Sequence, residues 1–284
     1  LLSPPPPACL RRGLRRRRGP REATRGDSAA GGREQALLQD AHPGGMGTLA
    51  FAAQGYRADG CILTESTQMK IAPLCRGILW GKLTIPGRSG HIELPQGDWR
   101  EGGAQDAIAL ARLYMDHFDH LNSDWRRRKV HPLLPLPCQI YVAQFNAGEY
   151  PTAFANMGLG SAVKRELEAF FQAIAQTDPW LIENPPRLEW LVDADCGETP
   201  ADHPFVLACA SSLELIGYPP ALEGVSAHTD MGWFVNVGIP TVNFGPGNMR
   251  VAHQNDEFVP ERELIDCAKM IALTLMDWCG VEGN

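Results

Sequence analysis

The stretch from Gly238 to Glu257 constrains this chain more than any other part of its sequence. It reads as a short apolar strand, a Gly-Pro-Gly turn at residues 245–247, and a loop that carries His253. Open α/β sheets place their ligand chemistry just beyond the carboxyl ends of strands, where glycine lets the backbone approach a ligand closely. A neutral imidazole at such a place can bind a metal, although a lone histidine is more often an ordinary surface residue. The pattern therefore favours an α/β fold with a site beyond this strand.

Charge is unevenly distributed along the chain. Of the 284 residues, the first 43 contain nine arginines and four acidic residues, a net charge of +5, so the remainder carries −12 to give the overall −7. An acidic body does not attract nucleic acid. No apolar run approaches the ~20 residues that a membrane span requires. We therefore predict neither a nucleic-acid partner nor a membrane partner.

Residues 1–43 differ in composition from the rest of the chain. They are rich in Pro, Gly and Arg and show no hydrophobic periodicity. Such a segment buries too little apolar surface to offset its chain entropy. We predict a disordered or non-native basic tail, with a contact to nucleic acid or anionic lipid as the alternative. Because the chain begins with Leu1, we also expect it to be incomplete.

The cysteines indicate the compartment. Their spacing contains neither a Cys-x-x-Cys pair nor a zinc-finger pattern, and several have apolar neighbours, as reduced buried thiols do. We therefore predict a cytoplasmic protein. The eight cysteines stand at positions 9, 61, 75, 138, 196, 209, 267 and 279.

The middle of the chain has the pattern of a small separate domain. Apolar positions that alternate or recur at helical spacing follow the order strand, helix, strand, helix, strand, which is close to a split βαβ unit. The strand expected between Tyr150 and Gly160 is poorly marked. We predict an α+β ferredoxin-like lid domain at residues 73–194. Its segments are the strand 78–85, the helix 104–118, the strand 138–143, the helix 163–174 and the strand 188–192.

The flanking segments, residues 44–72 and 195–284, are predicted to pack together as two parts of one larger α/β domain. A helix is expected to begin at Pro204 and to end at Gly217, since proline suits the first helical turn and glycine the position after the last. A second helix is expected over 264–278, where apolar residues recur at helical spacing.

Three blocks of sequence together carry a resemblance to known proteins. The block from Ser226 to Leu264 contains Ser-Ala-His-Thr-Asp-Met-Gly, then Gly-Ile-Pro-Thr-Val-Asn-Phe-Gly-Pro-Gly, then Ala-His-Gln-Asn-Asp-Glu-Phe-Val. The other two blocks are residues 44–67 and residues 87–108. Across residues 44–280 the chain resembles the zinc metallopeptidase and deacylase family of acetylornithine deacetylase, succinyl-diaminopimelate desuccinylase, aminoacylase and glutamate carboxypeptidase.

The resemblance implies a fold, a cofactor and an oligomeric state. The fold would be a three-layer, zinc-exopeptidase-like α/β catalytic domain, incomplete here, with the inserted lid. The cofactor would be two zinc ions per subunit sharing a bridging water, with cobalt or manganese as alternatives. The lid would join two copies of the chain into a homodimer, for which the strand from Ile78 would provide an edge and the helix 104–118 a face.

The resemblance assigns metal ligands only in part. Glu65, in Leu-Thr-Glu-Ser-Thr, matches an acidic ligand, and His253 matches the last histidine ligand. The family's His-x-Asp pair has no counterpart before residue 44, and a Glu-Glu pair is absent before the Gly44-Gly45 block. Asp40 would be a weak substitute. Two ligands do not hold two zinc ions, so we expect impaired catalysis from this chain.

Further site residues follow from the same resemblance. His91, in Gly-Arg-Ser-Gly-His-Ile, matches a lid histidine that stabilises the oxyanion across the dimer; the alternative is a polar loop residue. Asp230 matches an acid near the metals or the substrate; the alternative is a helix N-cap. The backbone of Gly245, Pro246 and Gly247 would help to seat the substrate.

Two functions are compatible with the sequence. The first is a metal-dependent hydrolase of amide bonds in small N-acyl amino acids or peptides, similar to acetylornithine deacetylase. The second is a catalytically inactive homologue that acts as a dimerisation or binding module. The missing ligands leave both open, and the resemblance favours the enzyme.

Overall fold

The computed structural model describes residues 45–91, 93–146, 152–157 and 160–281. These residues form two units, the first from residues 45–76 and 196–281 and the second from residues 77–195. The predicted tail, residues 1–43, lies outside the described residues, as do Asp40 and Gly44. No helix in the described parts of the chain is long and apolar enough to cross a membrane.

The first unit contains two small sheets and four helices among its described residues. Its elements are α1 (Met46–Ala53), β1 (Cys61–Leu63), β2 (Leu74–Arg76), β7 (Gly197–Glu198), α5 (Pro204–Leu215), β8 (Val225–His228), α6 (Met231–Val235), β9 (Thr241–Asn243) and α7 (Glu261–Cys279). Strands β1 and β9 are parallel neighbours. Strand β2 lies between β7, to which it is antiparallel, and β8, to which it is parallel.

Local sequence signals explain where α5 begins and ends. His203 occupies the N-cap and accepts a hydrogen bond from the Phe205 backbone N–H at 3.1 Å, while Pro204 fills the first turn. Gly217 has φ +89°, which glycine adopts at no steric cost. The helix expected from Pro204 is therefore confirmed. Its inner face packs with β9 and α7 in an apolar core that includes Val206, Leu213, Phe244 and Met270.

The second unit is a four-stranded antiparallel sheet with helices. Its elements are β3 (Ile78–Thr84), a 3₁₀ turn (Trp99–Glu101), α2 (Ala107–Arg128), β4 (Ile140–Asn146), β5 (Thr152–Met157), α3 (Gly160–Ala175), α4 (Pro179–Glu183) and β6 (Arg187–Ala194). The strand order is β4-β5-β3-β6. The predicted strands and helices of this region are all present, with α2 extending ten residues beyond its predicted end at 118.

Strand β5 shows where the local pattern was insufficient. The sequence marks this strand poorly, yet it pairs with β3 on one side and with β4 on the other. Backbone hydrogen bonds of this kind do not depend on an alternating side-chain pattern. Strand formation here is therefore decided by the neighbouring strands.

A charged cluster joins the two long helices of the second unit. Glu166 on α3 accepts hydrogen bonds from Trp125 Nε1 at 2.9 Å and from Arg128 at 2.6 Å, and it pairs with Lys129. Burial alone would raise the pKa of Glu166, but the hydrogen bonds from Lys129, Arg128 and Trp125 outweigh it and lower the pKa to about 2. The apolar faces of both helices pack in the same core.

Candidate functional site

The candidate site of the first unit lies at the ends of two parallel strands. Glu65 follows β1 by two residues, and the Gly-Pro-Gly turn follows β9 by two residues. In the parallel register Leu63 is opposite Asn243, and the Phe244 N–H donates to the Leu63 carbonyl at 2.8 Å. The carboxyl ends of both strands therefore meet at one edge, as the sequence predicted for a ligand site in an α/β sheet.

The Gly-Pro-Gly turn is held against the segment that carries Glu65. Gly245 accepts a hydrogen bond from the Met69 N–H at 3.1 Å and donates to Thr67 Oγ1 at 3.1 Å. A Cβ atom on Gly245 would lie 2.6 Å from the Glu65 carbonyl oxygen, closer than real Cβ contacts come. Glycine is required here because two backbone segments touch.

The backbone amides of the turn are already in use. Gly245 N–H donates to Thr67, Gly247 N–H donates to Glu263 Oε2 at 2.8 Å, and Pro246 has no N–H. These hydrogen bonds fix the position of the turn relative to Glu65. Substrate binding by residues 245–247 stays a prediction, and it would have to use groups other than these two amides.

Glu65 is half-buried and shares its surroundings with Asp230. Burial raises the pKa of Glu65, and the negative charge of Asp230 raises it further. Asp230 is held in place by Thr48, whose hydroxyl donates to Asp230 Oδ2 at 2.6 Å. Gly45 lies so close that an added Cβ would be 2.7 Å from Asp230 Oδ1. The structure therefore brings Glu65 and Asp230 close enough for their charges to interact, and Thr48 and Gly45 contact Asp230.

Asp230 stands at the N-cap position of α6, but its side chain makes no capping hydrogen bond. The alternative interpretation of Asp230, a helix N-cap, therefore does not describe its carboxylate, which binds Thr48 instead. His228 lies two residues earlier. Burial lowers the pKa of His228, and the charge of Asp230 opposes this shift. The lowered pKa favours a neutral imidazole at neutral pH, the form that accepts a proton or binds a metal.

Thr48 and His228 were not singled out from the sequence. His228 belongs to the same Ser-Ala-His-Thr-Asp-Met-Gly block as Asp230, so its proximity was a signal that could have been used. Thr48 lies 182 residues from Asp230 in the chain. Nothing in the local pattern around Thr48 pointed to that contact.

His253 lies on an exposed part of the loop between β9 and α7. It has φ +65°, and its N–H donates to Glu257 Oε2 at 3.0 Å, which stabilises a left-handed backbone at a residue other than glycine. Within the described ranges, no three His, Cys, Asp or Glu side chains converge to hold a metal ion. The described residues alone therefore do not complete a zinc site around Glu65 or His253, and the roles of these two residues as ligands stay predictions.

His91 belongs to the second unit, on an exposed loop after β3. Its Nδ1 accepts a hydrogen bond from the Glu93 N–H at 3.3 Å. Gln96 supports the loop: its Nε2 donates to the His91 carbonyl at 2.7 Å, and its Oε1 accepts from the Ala104 N–H at 3.2 Å. No pattern in the sequence pointed to Gln96. The catalytic role of His91 stays a prediction.

Comparisons with known proteins agree with the resemblance in the sequence. An N-formyl-4-amino-5-aminomethyl-2-methylpyrimidine deformylase of Bacillus subtilis (strain 168) is 26% identical over 263 residues, which are 83% of this chain and 62% of that protein. An acetylornithine deacetylase of Myxococcus xanthus is 23% identical over 264 residues, 86% of this chain and 64% of that protein. The chain thus spans less than two thirds of the length of both relatives.

Solved structures share the fold. A tripeptidase from Staphylococcus aureus has a TM-score of 0.61 at 15% identity, with coverage of 82% of this chain and 61% of that one. A metallo-carboxypeptidase from Sulfolobus solfataricus has a TM-score of 0.56 at 14% identity, with coverage of 87% and 69%. At such identities the likeness concerns the mixed α/β fold alone. The sequence profile of Peptidase family M20/M25/M40 matches residues 43–277, well over half of the chain, and the chain therefore belongs to that family.

Proposed function

We propose that this chain is a metal-dependent hydrolase of amide bonds in small N-acyl amino acids or peptides. Water would cleave the amide into a carboxylic acid and an amine, and the reaction would resemble that of acetylornithine deacetylase. Family membership supports hydrolysis, and the names of the relatives support amides of small molecules as substrates. We further propose zinc as the metal and the cytoplasm as the location.

The observation that carries this proposal is the position of Glu65. A half-buried carboxylate of raised pKa stands just beyond the carboxyl end of β1. The backbone of the same residue touches the Gly-Pro-Gly turn at the end of the parallel neighbour β9. Buried carboxylates whose pKa is shifted by a specific partner are common at functional sites. In the proposed roles Glu65 and His253 are metal ligands, Asp230 positions the site or contacts the substrate, and His91 stabilises the oxyanion.

The first test is the metal content of the purified chain. We expect zinc to bind weakly and substoichiometrically, because two ligands are assigned and the described residues contain no group of three. Glu65→Gln and His253→Ala should lower the zinc that remains after dialysis against a mild chelator, as measured by elemental analysis. Asp256→Asn, which removes an exposed acid near His253, is the matched control and should leave the zinc unchanged.

Two zinc ions held tightly by each chain through that dialysis would contradict this prediction, and other residues would then have to complete the site. The same preparations are assayed for hydrolysis of N-formyl and N-acetyl amino acids and of dipeptides, with zinc added. Hydrolysis that depends on zinc supports the proposed function. No hydrolysis at any zinc concentration supports the inactive binding module instead.

We also propose a homodimer formed through the second unit. The sequence suggested the strand from Ile78 as the pairing edge, and this detail is wrong, because β3 lies between β5 and β6. Helix α2, which carries most of the predicted pairing face, buries its apolar side chains within its own unit. The edge strands of the sheet are β4 and β6. Strand β4 is the better candidate because Tyr141 and Phe145 on it are 46% and 39% exposed.

The dimer prediction is tested on β4. Replacing Tyr141 and Phe145 by lysine should weaken dimerisation roughly tenfold or more, because charges on an edge strand oppose strand pairing and buried aromatic side chains dominate interfaces. Sedimentation at micromolar concentration measures the change. The control is Ile182→Lys, on a side chain that is 51% exposed in α4. A chain that is strictly monomeric before any substitution would contradict the prediction.

A further inference from the structure

A cleft of about 380 Å³ opens in the first unit beside the strand ends that carry the candidate site. It is lined by residues 66–68, 224–227 and 248–250, together with Lys70, Ala72 and Glu223. Its volume falls in the range of pockets that bind small ligands. Two of these segments are continuous with predicted metal ligands, because Ser66 follows Glu65 and Arg250 precedes His253 by three residues.

The chain connections keep the cleft close to the proposed reaction site. Adjacent Cα atoms are about 3.8 Å apart, and three residues span at most about 11 Å. The Cα atoms of Glu65 and Ser66 are therefore about 3.8 Å apart. The Cα atoms of Arg250 and His253 are at most about 11 Å apart. A group attached to an amide held at Glu65 is therefore within reach of the cleft.

The charges that line the cleft do not cancel. Lys70 forms an ion pair with Glu223, so these two residues neutralise each other. Arg250 is exposed, and its guanidinium has no hydrogen-bond or ion-pair partner in the described part of the chain. The lining therefore has one uncompensated positive charge. A guanidinium binds a carboxylate through two parallel hydrogen bonds, a geometry that an ammonium group does not offer.

The remaining lining adds hydrogen-bonding groups and an apolar surface. The side chains of Ser66, Gln68 and Ser226 form no hydrogen bond among the described residues, so they can serve a ligand. Val225 and Met249 contribute apolar surface. This combination suits a short aliphatic chain that ends in a carboxylate and suits a neutral group less well.

We infer that this cleft binds an acidic side chain of the substrate and that Arg250 determines the preference for it. The inference rests on the proposed function and deepens it: the preferred substrates would be N-acyl derivatives of acidic amino acids. Replacement of the Arg250 side chain breaks no hydrogen bond or ion pair within the described part of the chain, so the variant reports on binding.

Titration calorimetry with two matched probes tests the inference. N-acetyl-L-glutamate and N-acetyl-L-glutamine have nearly the same shape and differ in the charge of the side chain. The unmodified chain should bind the glutamate derivative more tightly, and Arg250→Met should weaken that binding about tenfold, the usual value of one charge-assisted contact. Arg250→Lys should retain part of the preference. Arg165→Met, which removes an exposed arginine of the second unit, should leave the affinities for both probes unchanged.

Equal affinity for the two probes, no binding of either, or an Arg250→Met chain that keeps the preference would overturn the inference. The titrations are done with a chelator present and do not require hydrolysis. A chain that lacks zinc or activity therefore still tests Arg250, while the zinc and hydrolysis measurements test the proposed function without reference to Arg250.

Discussion

Replacing His91 by alanine is expected to reduce turnover roughly 10²–10³-fold, the usual loss when one oxyanion donor is removed. Metal content should not change, because His91 is not assigned as a ligand. His253→Ala should instead lower metal content and turnover together. The two results differ because a ligand builds the metal site, whereas an oxyanion donor acts on charge that develops only in the transition state.

The matched control for His91 is His131→Ala. Both histidines are in the second unit, and each accepts a hydrogen bond at Nδ1 from the N–H two residues later, at 3.3 Å for His91 and 3.2 Å for His131. A loss of turnover caused merely by a loosened loop should appear in both variants. If His91→Ala strips the metal, or if its turnover is unaffected, the role assigned to His91 is wrong.

The assay needs an active protein. If the chain itself does not hydrolyse amides, a hybrid that joins it to the amino-terminal part of a longer relative serves for both variants. Mixing chains with His91→Ala and chains with His253→Ala then tests action across a dimer. Recovered activity in the mixture shows that His91 of one copy serves the site of the other, and no recovery contradicts action across the dimer.

Gly245→Ala should destabilise the first unit by about 1–3 kcal/mol, the usual cost of forcing an extra methyl group into a packed region. The added Cβ would stand 2.6 Å from the Glu65 carbonyl oxygen, and that atom belongs to the backbone. Relief of the clash must move either the turn or the segment with Glu65. We therefore expect the variant to lose zinc binding as well as stability, as measured by denaturant unfolding and elemental analysis.

Gly47→Ala is the control for this substitution. Gly47 lies in α1, and an added Cβ there meets nothing within 4 Å. Alanine in a helix is favoured over glycine by up to about 1 kcal/mol, so this variant should be slightly more stable. A lower free energy of unfolding for Gly245→Ala together with a higher one for Gly47→Ala supports the close approach at Gly245. A Gly245→Ala chain with unchanged stability and zinc content would show that the turn is not tightly held.

Much of the fold was predictable because local patterns report local structure. The helix that begins at Pro204 follows from a capping residue, a proline and a closing glycine, all within a few residues of its ends. The helices and most strands of the second unit follow from apolar spacing. The exceptions depended on partners: β5 forms because β3 and β4 flank it, and β3 is a central strand because β6 occupies its other side.

The sequence by itself identified the family blocks and the turn after a strand, and it led to the predicted site residues Glu65, His91, Asp230 and His253. It could do so because these features lie within short continuous segments. Only the tertiary structure showed that Thr48 holds Asp230, that burial and then Asp230 raise the pKa of Glu65, and that Gly245 touches the Glu65 backbone. These contacts join segments that lie up to 182 residues apart. Local sequence patterns do not predict such contacts, because the contacts form only when separate strands and helices pack together.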